Sequence, residues 1–167
     1  MVEQFTAAAE AFGATVKRFT GLEEALASLR ELVGGRPATV SRLPERVTER
    51  IRALSFVADD RIDSAEVGIS FAQAGIARTG SLLLELVDPT ARSATALPPI
   101  HAVFLAASTI VPDLYALRDT LNTYLSSPGS SYFSIITGPS RTADIERVLT
   151  IGVHGPKELH IFILEGE

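Results

Sequence analysis

Four short runs of this sequence are apolar, with little alternation between apolar and polar residues. They are Ser81–Val87, Ile100–Ala106, Tyr132–Ile136 and His160–Leu164. A strand with this pattern buries both of its faces, as strands do in the parallel sheets of α/β proteins. Helical patterns separate most of these runs. We therefore predict a three-layer α/β/α fold in which the four runs lie in one mainly parallel sheet.

The first part of the chain carries mainly helical patterns. Its predicted helices and short strands are Val2–Phe12, Thr15–Phe19, Leu22–Val33 and Ala38–Ser41. We predict that residues 1–60 form a helical N-terminal region that packs on an α/β core of residues 61–167. The length of the chain suits a single domain that contains both parts.

Local patterns predict three further elements in the second part of the chain. They are a short helix at Phe71–Ala77, a loop from Asp88 to Pro99 and a helix that begins at Pro112. Arg78–Gly80 is predicted to form the turn that leads into the strand at Ser81.

The composition excludes several classes of site. The chain has 167 residues and a formal net charge of −5, so we expect no nucleic-acid binding, for which a basic face is typical. It contains no cysteine, so it cannot hold a cysteine-ligated iron–sulfur cluster, and we predict no cofactor in this chain. The histidines are too scattered for a zinc site, and the acidic stretch Asp59–Glu66 does not match a calcium-binding loop. We therefore predict no metal.

The beginning of the sequence does not have the pattern of a secretory signal. Glu3 and Glu10 interrupt a stretch that a signal peptide would keep basic and then continuously apolar. No apolar run approaches the roughly 20 residues that a membrane-spanning helix needs. We therefore predict a cytoplasmic protein without membrane contact.

A glycine–proline loop follows the predicted strand at Tyr132–Ile136. Ser140 or Thr142 could cap a helix that begins near Thr142, and the free N–H groups of a helix N-terminus bind anions. Arg141 would add a guanidinium group. We predict an anion-binding pocket framed by Gly138–Thr142; the residues of the whole loop are Thr137, Gly138, Pro139, Ser140, Arg141 and Thr142. The alternative is that Thr142 only caps the helix and Arg141 is solvated, and Asp144 in the first turn would oppose a phosphate.

Two other segments are predicted to contribute to a site. Ligands of open parallel sheets bind beyond the carboxyl ends of the strands. One candidate segment is Thr79 with Gly80, at a turn between two predicted elements, and the other contains Gly152, His154 and Gly155. His154 titrates near neutral pH and could act in acid–base chemistry, although a loop histidine is more often only a hydrogen-bonding residue. His101 begins a buried strand and is interpreted as structural.

Three blocks of the sequence resemble the LUD-domain family, in particular its LutC/YkgG group of lactate-utilisation proteins. The blocks are GISFAQAGIARTGSLLLE, LPPIHAVFLAASTIVPDL, and TGPSRTADIE followed by GVHGPKELHIFIL. They occur in the family's order and together cover most of Val67–Leu164. The resemblance implies the fold shared by the NagB, RpiA and CoA-transferase families.

The resemblance also implies a role, and two functions stay open. The first is an accessory or regulatory component of L-lactate oxidation to pyruvate that works with iron–sulfur partner proteins. The second, implied by other proteins with this fold, is a small enzyme or binding protein for a phosphorylated or nucleotide-like anion.

Overall fold

The computed structural model of the chain describes residues 1–126, 132–143, 149–151 and 155–166. The α-helices in these residues are α1 (Val2–Ala11), α2 (Leu22–Val33), α3 (Glu45–Ile51), α4 (Pro89–Ala96) and α5 (Arg118–Ser126). Short 3₁₀ helices lie at Asp59–Ser64, Ala107–Thr109 and Leu114–Leu117. The strands are β1 (Thr15–Phe19), β2 (Ala38–Val40), β3 (Val67–Ala72), β4 (Ala74–Ile76), β5 (Ser81–Glu85), β6 (Ile100–Ala106), β7 (Ile110–Val111), β8 (Phe133–Ile136), β9 (Arg141–Ala143), β10 (Leu149–Ile151) and β11 (Glu158–Leu164).

A parallel sheet forms the centre of the molecule. Its strand order is β1-β11-β6-β3-β2, and every neighbouring pair is parallel. The chain goes from one edge strand, β1, to the other, β2, and then returns strand by strand until β11 lies beside β1. The prediction of a mainly parallel α/β fold is therefore confirmed.

A second sheet, with the order β7-β4-β5-β8, corrects the prediction that the four apolar runs share one sheet. β5 pairs antiparallel with both β4 and β8, whereas β6 and β11 belong to the parallel sheet. β4 and β5 are covered on both faces, so β5 has the same apolar pattern as the inner strands of the parallel sheet. That pattern reports burial on two faces and does not distinguish the two sheets. β8 was predicted to be buried on both faces, but it is only partly buried, and Ile135 is 49% exposed.

Three apolar clusters define the layers. The first covers one face of the parallel sheet and contains α2 and α3. The second lies between the other face of that sheet, α1, α4 and one face of the second sheet, and it includes Phe5, Leu82, Leu84 and Val103. The third, with Leu83 and Leu117, covers the outer face of the second sheet. Two-sided burial thus holds for β3, β6 and β11 of the parallel sheet and for β4 and β5 of the second sheet.

Two segments between β3 and β6 differ from the prediction. Phe71–Ala77 was predicted as a helix, but it contains the end of β3 and the whole of β4, which pairs with β5 and β7. Gly75 has no side chain, which leaves room for Phe5 and Leu105 against β4. The segment after Asp88 was predicted as a loop, but it begins α4. The carboxylate of Asp88 accepts a hydrogen bond from the backbone N–H of Thr90 at 2.8 Å, as an N-terminal helix cap does.

The helix predicted to begin near Thr142 is also corrected. Arg141–Ala143 and Leu149–Ile151 are antiparallel strands in which Thr142 is the partner of Thr150. β-Branched residues favour strands, and here they outweigh the helical spacing of the apolar residues. Asp144, with the rest of the predicted helix up to residue 148, lies outside the described residues.

Residues 1–60 supply more than helices to this fold. Both edge strands of the parallel sheet, β1 and β2, come from them, and the predicted strands at Thr15–Phe19 and Ala38–Ser41 correspond to these two elements. The division into an N-terminal region of residues 1–60 and a core of residues 61–167 stays a prediction. Within the described residues, no helix is both long and apolar enough to cross a bilayer.

Candidate functional site

A cavity of about 480 Å³ lies at the amino-terminal edge of the parallel sheet. His101 and Leu159, the second residues of β6 and β11, form part of its wall, and Pro156 contributes from the turn before β11. The end of α4 and the loop Thr137–Arg141 complete it. Ligand pockets in proteins commonly enclose about 300–1,000 Å³, so this cavity is large enough for a small molecule. It lies at the edge opposite to the carboxyl ends of the strands, which corrects the predicted position of the site.

The loop after β8 is fixed by close contact with the end of α1. Gly138 has a φ of +66°, and a Cβ atom at this position would lie 2.4 Å from the carbonyl oxygen of Phe12. Only glycine combines this backbone conformation with such a close approach. The sequence therefore places a glycine where the loop crosses the end of the helix.

The side chain of Arg141 holds the other end of the same loop. Its Nη2 atom donates a hydrogen bond to the carbonyl oxygen of Phe12 at 2.7 Å. Phe12 follows the last residue of α1, where carbonyl groups have no partner within the helix and the helix dipole favours a positive charge. Arg141 itself is exposed, and no carboxylate among the described residues pairs with it. The guanidinium group thus brings to the cavity a positive charge that no carboxylate of the described residues pairs with.

A backbone hydrogen bond joins this loop to the turn before β11. The N–H of Ser140 donates to the carbonyl oxygen of Pro156 at 2.8 Å. Gly155 has a φ of +137°, and a Cβ atom there would lie 3.0 Å from the Cβ atom of Ser140. These contacts bring the two glycine–proline segments together at one wall of the cavity.

His101 is a buried polar side chain in the wall of the cavity. It is only 1% exposed, and its Nε2 atom lies 2.8 Å from Oγ of the fully buried Ser70. Burial disfavours the charged imidazolium and lowers the pKa of His101 to about 4, so the ring is neutral at physiological pH. Within the described residues, Ser70 is its one side-chain partner. The ring is therefore held in place by a bond that leaves one nitrogen without a protein partner in that part of the chain.

A chain of hydroxyl groups connects the cavity with the turn between β4 and β5. Oγ1 of Thr79 lies 2.7 Å from Oγ of Ser81, and Oγ of Ser81 lies 2.7 Å from Oγ1 of Thr137. Gly80 is in the same turn and packs against the backbone of α1. Thr79 and Gly80 therefore lie outside the wall of the cavity, and Thr79 reaches it only through Ser81.

The structure brings together about half of the predicted site residues. Thr137, Gly138, Pro139, Ser140, Arg141 and Gly155 line the cavity. Thr142 follows them as the second residue of β9, and Gly152 and His154 lie outside the described residues. The predicted helix N-terminus does not frame this site, because strand β9 begins at Arg141. That these residues bind a ligand stays a prediction.

Several residues of the cavity were not predicted as parts of a site. Phe12 and Thr95 come from distant parts of the chain, and no local pattern marks them. His101 was interpreted as structural. Its bond to Ser70 agrees with that interpretation, which did not include its position in the cavity wall. A signal was present, since His101 is the one polar side chain in the otherwise apolar strand Ile100–Ala106. In the described part of the chain, no group of three or more His, Asp or Glu residues is arranged to hold a metal ion.

The fold is shared with a solved structure. A DUF162 family protein from Deinococcus radiodurans superposes with a TM-score of 0.67, and the match covers 98% of this chain and 96% of that one. The sequence identity is 14%, so the similarity concerns the fold alone.

Proteins of similar sequence include two with informative names. "Uncharacterized protein YkgG" of Escherichia coli is 34% identical over 105 residues, which is 62% of this chain and 46% of that protein. "Lactate utilization protein C" of Bacillus subtilis is 34% identical over 98 residues, 58% of this chain and 41% of that protein. The chain thus spans less than half the length of these relatives.

A family model described as the LUD domain matches residues 57–164, which include β3, β6 and β11 of the parallel sheet and the whole cavity loop. The chain therefore belongs to the LUD domain family.

Proposed function

We propose that this chain is an accessory or regulatory component of L-lactate oxidation to pyruvate. Its membership of the LUD domain family, together with its similarity to proteins named "Lactate utilization protein C", carries the proposal. The segment that matches the LUD domain, residues 57–164, contains every described residue of the cavity wall except Phe12. We therefore assign the role in this process to the cavity.

The electrons of this oxidation need an acceptor outside the chain. Conversion of lactate to pyruvate releases two electrons and two protons, and the protein contains no cysteine with which to hold an iron–sulfur cluster. The resemblance to the LutC group implies iron–sulfur partner proteins, and we propose that these accept the electrons, in the cytoplasm. In this proposal the chain supports the partners and carries no redox centre of its own.

Genetic complementation tests the proposed role. A Bacillus subtilis strain that lacks its "Lactate utilization protein C" should regain growth on L-lactate as the carbon source when it expresses this chain. The native gene and an empty plasmid are the two controls, and growth on glucose shows that the strains are otherwise healthy. If the chain is present and folded but growth on L-lactate does not return, the proposed role is wrong.

Copurification tests the proposed partners. We expect the chain, tagged and captured from its native source, to bring iron and acid-labile sulfide with it, whereas the chain purified alone should contain neither. The absence of cysteine is the reason for the second expectation. Stoichiometric iron and sulfide in the isolated chain would refute it, and capture without any iron–sulfur protein would refute the partnership.

A second candidate function is the binding of a phosphorylated or nucleotide-like anion in the cavity. The observation that favours it is Arg141, whose guanidinium is placed at the cavity and has further N–H donors besides the one bonded to Phe12. We expect Arg141→Ala to weaken anion binding by about ten- to a hundredfold, because a charge-assisted hydrogen bond contributes about 1.5–3 kcal/mol. Calorimetric titration with inorganic phosphate and AMP measures the change.

The matched control for this titration is Arg118→Ala. Arg118 is an exposed arginine outside the cavity, and its removal changes the net charge equally. Binding to this variant should equal binding to the wild type. If Arg141→Ala binds phosphate and AMP as tightly as Arg118→Ala does, Arg141 only caps α1 and this candidate function is wrong.

A further inference from the structure

The described residues give the wall of the cavity a single formal charge. Arg141 is the one residue with a formal charge among its described lining residues, since His101 is neutral and no aspartate or glutamate takes part. A phosphate monoester carries about 1.5–2 negative charges at neutral pH, whereas a carboxylate carries one. The charge of the site therefore matches a monoanion better than a phosphate ester.

His101 supplies a polar ring to the wall of the cavity. Ser70 engages Nε2 of His101 at 2.8 Å, which leaves the other ring nitrogen without a partner among the described residues. If Nε2 donates to Ser70, the other nitrogen accepts a hydrogen bond; if Nε2 accepts, the other nitrogen donates one. A hydroxyl group can pair with either form, and a carbonyl oxygen can pair with the second form.

The remaining lining residues suit a small organic molecule. Phe12, Ile136 and Leu159 supply apolar surface, and Ser134 and Thr137 supply hydroxyl groups. Pockets for small molecules typically combine apolar walls with a few placed polar groups. The wall thus combines a neutral histidine ring, one cation and apolar surface, and these features restrict the class of ligand that the cavity can bind.

We propose that this cavity binds a small organic monoanion that carries a hydroxyl or carbonyl oxygen, with Arg141 attracting the carboxylate and His101 bonding to the second oxygen. Lactate and pyruvate belong to this class, and their choice as probes rests on the proposed role in lactate utilisation. Ser70 acts as a positioning residue, because it fixes the ring of His101 and does not touch the ligand.

Matched acids test the proposal by calorimetric titration of the full chain. L-Lactate and pyruvate are compared with propionate, which lacks the second oxygen, and γ-hydroxybutyrate is compared with butyrate. We expect the acid with the second oxygen to bind about three- to tenfold more tightly in at least one pair, because a hydrogen bond contributes about 0.5–1.5 kcal/mol. The two pairs place the second oxygen at different distances from the carboxylate, so they also report how far apart the two contacts lie.

Two variants separate the roles of the two side chains. Arg141→Ala should weaken the binding of all the acids by a similar factor. His101→Phe, which keeps an aromatic ring of similar size, should remove the preference for the second oxygen while retaining binding of propionate and butyrate. If His101→Phe is folded and keeps the preference, His101 is not the recognition residue and the proposal fails.

Nuclear magnetic resonance of the wild-type protein provides a test that does not depend on whether any variant folds. With ¹⁵N-labelled histidine, saturating L-lactate, pyruvate or γ-hydroxybutyrate should shift a ring nitrogen of His101 and leave the ring nitrogens of His160 unchanged, since His160 pairs with Glu158 away from the cavity. Unchanged His101 signals with every acid would overturn the proposal.

Tighter binding of phosphate or AMP than of every organic acid would overturn it as well and would favour the second candidate function. Growth on L-lactate in the complementation experiment is independent of these results, so the two proposals can fail separately.

Discussion

Gly80→Ala should lower the melting temperature of the protein by roughly 5–15 °C, because about 2–5 kcal/mol of stability is lost and each kcal/mol corresponds to about 2–4 °C in a domain of this size. Gly80 has a φ of +63°, which is unfavourable for alanine. Its Cβ atom would also lie 2.2 Å from the backbone nitrogen of Ala9 in α1. Backbone atoms within a helix cannot move aside, so the strain and the clash add. Thermal unfolding followed by circular dichroism measures the difference.

Two other glycines separate these contributions. Gly35 has a φ of +81°, and no atom lies within 4 Å of the place that a Cβ atom would take, so Gly35→Ala should show only the conformational cost of about 1–2 kcal/mol. Gly68 has an ordinary φ, but its Cβ atom would lie 2.0 Å from the carbonyl oxygen of Ala94 in α4, so Gly68→Ala should show only the clash. If Gly80→Ala costs no more than Gly35→Ala, then α1 does not pack tightly against the turn between β4 and β5.

Acidification should destabilise the protein through His101. The pKa of this residue falls from 6.5 to about 4 on folding, because burial disfavours the charged ring. Between these two values the unfolded chain binds more protons than the folded protein, so the free energy of unfolding falls as the pH falls. Stability is unaffected by this group above pH 6.5, and about 3 kcal/mol is lost once the pH reaches about 4. Urea unfolding at a series of pH values measures the slope.

The control for this experiment is His101→Gln, whose side chain does not titrate. The carboxylates and the other histidines contribute equally to both proteins, so the difference between the two curves isolates His101. We expect that difference to diminish as the pH falls from 6.5 to 4, because only the wild type loses stability through this residue. Parallel curves would show that the folded protein accepts a charged His101 and that the ring is not desolvated.

Local sequence patterns correctly predicted the elements whose apolar residues show directly which faces are buried. Apolar residues at helical spacing predicted α1 and α2, and the continuous apolar runs predicted β6 and β11. The same patterns could not separate the two sheets, since β5 of the second sheet is as buried as β6 and β11 of the parallel sheet. They also misassigned Arg141–Ala143, where pairing with β10 outweighs the helical spacing that follows in the sequence.

Part of the cavity lining was predicted because glycine and proline have backbone requirements that are visible in the sequence. Gly138 and Gly155 both have positive φ angles, and both lie at the cavity. Its position at the amino edge could not be predicted, because that depends on where the second sheet places the loop after β8. The role of Phe12 was equally inaccessible, since its contact with Arg141 joins residues 129 positions apart.

The strand order has a consequence for the order in which the protein folds. β1 pairs with β11 and with no other strand in the described chain, so during synthesis β1 has no partner in the sheet until β11 has been made. Contacts between such distant segments form slowly, because a long loop must close first. The end of α1, which precedes β1, also carries the carbonyl group that holds Arg141. We therefore expect nascent chains that stop before residue 158 to keep both their first strand and their cavity loop sensitive to protease, and expect this sensitivity to be lost when β11 is released.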